Sequence, residues 1–147
     1  MNNFKNRQSS EILGSVYKNA DMAYDSSGEV LKRCKNMKLY NEISAQRDRY
    51  RSVAAQARGE IVRRGGTPHA YPPHTKAMAR MGISMRTMAD PSSKNIASLM
   101  IRGTTMGIID MQHAVNRSRA AEPRIRDDAE ELLRREQSYC ESLKRYL

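Results

Sequence analysis

A chain of 147 residues with a formal net charge of +10 is long enough to bury a core without covalent staples. Its two cysteines, Cys34 and Cys140, are too few for a secreted disulfide framework, and no run of about 18 apolar residues could span a bilayer. With no secretion signal in the polar, basic opening residues, a cytoplasmic protein that does not enter membranes is expected. Trp is absent, Phe occurs once and Met ten times, so the core must be built from aliphatic, Met and Tyr side chains, which suits helices.

In chain order, residues 1–8 read as a flexible N-terminal arm and 9–147 as one helical domain. Ser9 and Ser10 can cap a first long helix whose inner face carries Ile12, Val16, Ala20, Ala23, Ser27 and Val30, widened by Leu13, Tyr17, Tyr24 and Leu31. After a short connection, Asn36 caps a second helix. Its seam of Leu39, Ile43, Gln46, Tyr50, Val53, Ala57 and Ile61 alternates spacings of four and three, with Gln46 as an amide on the core face. Gly65-Gly66 and Pro68 end it.

Three prolines then fix a loop holding His69 and His74, read as surface histidines rather than metal ligands. From Thr75 to Ala89 a short helix carries Met78, Met81, Met85 and Met88 on one stripe. Packing against the core is its ordinary meaning, and an adaptable docking surface is the functional alternative. Asp90-Pro91 opens a third long helix with inner residues Ile96, Leu99, Gly103, Met106, Asp110 and Ala114, ending near Ala120. Pro123 starts the last, whose stripe is Ile125, Ala129, Leu132, Glu136, Cys140 (or Tyr139), Leu143 and Leu147.

The long helices form two pairs, each with a connection short enough to make it antiparallel. The connection of about 25 residues between the pairs can run the length of a bundle, making the second and third long helices parallel. The expected fold is therefore all-α, a four-helix bundle with one long crossover and a short extra helix.

Ala45-Gln46-Arg47, the exit Arg64-Gly65-Gly66-Thr67-Pro68 and Arg102-Gly103 resemble the ferritin-like superfamily. Within it the likeness is to small uncharacterised bacterial four-helix-bundle proteins related to rubrerythrins, and it covers nearly the whole chain. The resemblance implies a place for a di-iron site, where one Glu on each of two helices and a Glu-x-x-His on each of the others meet at one level. Counted along the axis, that level holds Ala23, Gln46, Thr104 and Glu136. Gln46-x-x-Arg49 and Glu136-x-x-Tyr139 replace the Glu-x-x-His pairs, so Glu136 alone remains of the ligand set, and the cationic Arg49 opposes a dication.

Asp110-x-x-His113 is a rival metal pair, with the same helical spacing but about seven residues, roughly 10 Å, from the level of Glu136. Its ordinary meaning is a buried polar network, in which Arg49, Gln46, Tyr139 and Arg102 are the donors expected near the two carboxylates. No phosphate loop or activated nucleophile emerges. The leading expectation is a non-catalytic interaction protein without cofactor, assembling as a homo-oligomer through the Met stripe and the flanking Tyr17 and Tyr24. Two alternatives stand beside it. One is an iron- or other metal-binding storage protein or oxidoreductase using Glu136, Asp110 and His113. The other is a nucleic-acid-binding bundle using Arg63, Arg64, Arg117, Arg119, Arg124 and Arg126 at one end.

Overall fold

The computed structural model describes residues 2–147, and it is all-helical with no strand among them. Its elements are α1 (Asn2–Leu31), α2 (Met37–Arg63), α3 (Pro73–Ala89), α4 (Ser93–Arg117) and α5 (Pro123–Leu143), followed by a 3-10 turn, Lys144–Tyr146. The seam of α2 is buried at Leu39, Ile43, Gln46, Tyr50, Ala57 and Ile61, with Val53 half-buried. Its ends follow from local chemistry. Asn36 Oδ1 accepts from the Leu39 amide at 3.0 Å, and beyond Arg63 the chain turns through Gly65 at φ +78°, where the Gly66 amide reaches the Ile61 carbonyl.

Two groups of core residues give the helix directions. Val30, Leu39, Ile96 and Leu143 meet at one end, and Ile12, Ile61, Val115 and Ile125 at the other. α1 and α5 therefore run one way, and α2 and α4 the other. The segment from Gly65 to Ser92 spans the length between those ends, with α3 lying along α1. Lys76 bonds Asp21 and Arg80 bonds Asp25, both at 2.8 Å, so α3 follows the direction of α1. No helix among the described residues is long and apolar enough to cross a membrane.

Several expectations need correction. Met1 lies outside the described residues, but Asn2 to Gln8 continue α1 and do not form a free arm. Their polar side chains find partners at the far ends of other helices: Gln8 Oε1 accepts from the Ala120 amide at 2.6 Å, and Asn6 Oδ1 accepts from Arg64 at 3.0 Å. The N-cap of α4 is Ser92, whose Oγ accepts from the Asn95 amide; Asp90 instead accepts from the Ser92 amide in the preceding turn. The buried face of α4 is also rotated. It carries Ile96, Ala97, Met100, Thr104, Met111, Ala114 and Val115, leaving Gly103 and Met106 exposed.

The methionine stripe is not core. Met78, Met81, Met85 and Met88 are 69, 62, 64 and 66% exposed, because α3 turns Ala79, Ile83 and Thr87 inward. Tyr17 packs partly into the core, and Tyr24 lies under Arg47, whose guanidinium carbon is 3.9 Å from the ring centroid. Neither is a free contact residue. On α5, Leu133 and Tyr139 take the buried places, Leu132 and Cys140 are only partly covered, and Leu147 is exposed.

Candidate functional site

Midway along the core a polar network crosses from α2 to α5. Glu136, 4% exposed, accepts from Gln46 Nε2 at 3.0 Å and from the Tyr50 hydroxyl at 2.8 Å. Arg49 does not reach the carboxylate. Its Nε donates to Gln46 Oε1 at 2.9 Å, which orients the amide so that its NH2 faces Glu136. Burial pushes the Glu136 carboxyl up to about 7, against the downward pull of Tyr50, Gln46 and the charge of Arg49. Burial, reinforced by that neighbouring carboxylate, also raises the Tyr50 and Tyr139 phenols.

The two tyrosines differ in their hydroxyls. Tyr50 donates to Glu136, whereas the buried Tyr139 hydroxyl has no partner. Tyr50→Phe is expected to cost about 1.5–3 kcal/mol at pH 8, because a buried charge loses a donor, while Tyr139→Phe should be neutral or slightly stabilising. Urea unfolding of the two variants side by side checks this ordering, and equal losses would contradict it.

Beside this network an open cavity of about 710 Å³ lies between α3 and α4, and Ala23, Tyr50, Thr104 and Glu136 all contribute to its walls. Asp110 also lines it, bonded to Ser15 Oγ at 2.9 Å and Asn19 Nδ2 at 2.6 Å. Burial pushes the Asp110 carboxyl up, but those two hydrogen bonds, with the charges of Lys18 and Arg117, outweigh it and hold it below the ordinary value.

The structure separates the residues of the rival metal pair. His113 is exposed, while Asp110 is engaged with α1. Among the described residues no group of three or more His, Cys, Asp and Glu side chains could hold a metal ion. At the level implied for a di-iron centre, Glu136 is joined by no second carboxylate or imidazole among the described residues, and its neighbours are an alanine, a threonine, an amide and a phenol. The residues present do not fit such a centre. His69 and His74 are exposed in the loop and at the start of α3.

The chain matches no protein-family model, no curated protein and no solved structure.

Of the arginines at the far end, Arg63, Arg64, Arg124 and Arg126 make internal contacts, whereas Arg117 and Arg119 are exposed. Arg64 bonds Glu122 at 2.8 Å and Glu60 at 3.3 Å, and Arg124 bonds Glu60 at 2.7 Å, fastening the exit of α2 to the start of α5. Arg126 donates to the Val115 and Ser118 carbonyls at the end of α4. Hydrogen bonds from Arg63 and Arg124 hold the Glu60 carboxyl down at about 2.

Of the donors expected around Glu136, Gln46 bonds it and Arg49 acts through Gln46. Tyr50 was legible only as a core residue, although its place four residues after Gln46 puts its hydroxyl on the same seam. Ser15 and Asn19, the partners of Asp110, gave no signal. Both are short polar residues on the flank of α1, and only the packing of α4 brings the carboxylate to them.

Proposed function

We propose that this protein is a non-catalytic interaction protein on a ferritin-like four-helix bundle, assembling with a second copy through the outer face of α3. The parallel run of α2 and α4 and the length-spanning connection between them support the architecture. The observation that carries the function is the outward methionine stripe: four flexible, apolar side chains on one helix face, each about two-thirds exposed. Contiguous apolar patches of this kind mark interaction sites, and Met re-packs readily against a facing surface.

A second copy of the chain can meet this face despite its net charge. The protein carries +10, so two copies repel over most of their surfaces. The stripe itself bears no charge, since Lys76 and Arg80 point to Asp21 and Asp25 on α1, and Arg86 lies along the cavity. Two α3 helices crossing at this face form a self-complementary contact of the kind that closes a two-fold dimer.

Sedimentation velocity on the wild type and on a Met81→Lys/Met85→Lys double variant tests the proposal. The wild type is expected to sediment as a dimer and the variant as a folded monomer. A monomeric wild type, or a variant that stays dimeric, would overturn it.

A further inference from the structure

α3 leans on α1 and barely touches α4. Its polar links to α4 gather at the turn between them, where Asn95 Nδ2 donates to the carbonyls of Arg86 and Asp90 at 3.2 and 2.7 Å. Away from that turn the helices leave the 710 Å³ cavity open over α1. Its size falls within the range of small-molecule sites. Small side chains create it: Ala20 and Ala23 on α1, Ala79 on α3 and Gly103 on α4 all line it. At Gly103 an added Cβ would meet nothing within 4 Å, so the space reaches the backbone of α4.

The walls are mainly apolar, but two acidic residues, Glu136 and Asp110, line them, and the carboxylates of both are held by neutral donors. Glu136 is bonded by an amide and a phenol, Asp110 by a hydroxyl and an amide. The cation of the Glu136 network, Arg49, is engaged with Gln46. Arg86 and Arg102 also line the cavity, and their exposure places these two cations at its mouth, away from the buried Glu136. A carboxylate offers about four lone-pair directions, and the protein occupies two of those on Glu136. A buried charge with apolar walls and open acceptor sites complements a cation on a hydrocarbon body.

We propose that the cavity between α3 and α4 binds an apolar organic amine, with its ammonium group at Glu136 and its hydrocarbon body along α1 and α3. This site is on the inner side of α3, opposite the methionine face, and stands independently of the dimer.

Calorimetric titration at pH 8 with n-octylamine, n-octanol and n-octanoate tests it on the full chain. Wild-type protein is expected to bind octylamine at least tenfold more tightly than octanol, and octanoate least tightly. That order runs against the net charge of +10, which would favour octanoate at any nonspecific site. Glu136→Gln should reduce octylamine affinity to that of octanol and leave octanol binding unchanged. Gly103→Leu, which fills the space without a clash at Cβ, should weaken both at least tenfold while circular dichroism shows the same helix content. Octanoate binding as tightly as octylamine, an amine preference that survives Glu136→Gln, or no octylamine binding by the folded wild type would each overturn the proposal.

Discussion

Replacing Glu136 with Gln is expected to make the protein more stable at pH 8 by about 3 kcal/mol while leaving its stability near pH 4 almost unchanged. The carboxyl titrates near 4.5 when exposed and near 7 in the fold. Below pH 4.5 both states hold the proton, so the group adds no pH dependence. Between 4.5 and 7 the unfolded chain releases the proton while the folded chain keeps it, and stability falls as pH rises. Above 7 both are ionised and the penalty levels off.

Gln keeps the size of the side chain and removes the charge; with its carbonyl accepting from Gln46 Nε2, its NH2 can donate to the Tyr50 oxygen, so the network stays paired once the phenol turns. The decline between pH 4.5 and 7 should therefore disappear. Glu60 does not obscure this result. Its carboxyl is held down near 2, so its stabilising contribution is complete above the ordinary carboxylate range and is lost only as pH falls toward 2. Urea unfolding of both proteins at pH 4, 6 and 8 measures the difference, and parallel curves would refute the assignment of a buried, elevated acid.

The second large effect concerns which apolar residues hold the fold. Ile43→Ala is expected to cost about 2–5 kcal/mol, because Ile43 is fully buried where α2 packs against Leu39, Ile96 and Leu143. Met85→Ala should fall within about 0.5 kcal/mol of wild type in the monomer, since its side chain is 64% exposed. A domain stability of about 5–15 kcal/mol makes the first change a large fraction of the total. Thermal unfolding at a concentration where both variants are monomeric gives the comparison. A comparable loss for Met85→Ala would return the stripe to the core and remove the basis of the dimer.

These two residues illustrate what periodicity can and cannot reveal. On α2 one apolar seam lies between polar flanks, so Leu39, Ile43, Tyr50, Ala57 and Ile61 could be assigned to the interior from spacing alone. On α3 the methionines satisfy the same spacing, yet Ala79, Ile83 and Thr87 make the contacts, because Lys76 and Arg80 reach for Asp21 and Asp25 and set the rotation of the helix. Along α4, apolar residues on adjacent faces define a period without defining its phase. Both faces border the cavity, but Met100, Thr104 and Met111 are buried, while Gly103 is exposed and Leu99 and Asp110 are half-buried.

By itself, the sequence determined the all-helical class, the long helices, the glycine exit from α2 and the inward places of Gln46 and Glu136. Each depends on spacing or on residues close in the chain, where backbone geometry dictates which side chains share a face. Only the tertiary structure decided that Tyr50 rather than Tyr139 or Arg102 bonds Glu136, that Asp110 turns to Ser15 and Asn19, and that a cavity opens beneath α3. Those features depend on the rotation and separation of helices far apart in sequence, which are set by packing and by ion pairs between them and leave no periodic trace in any one helix.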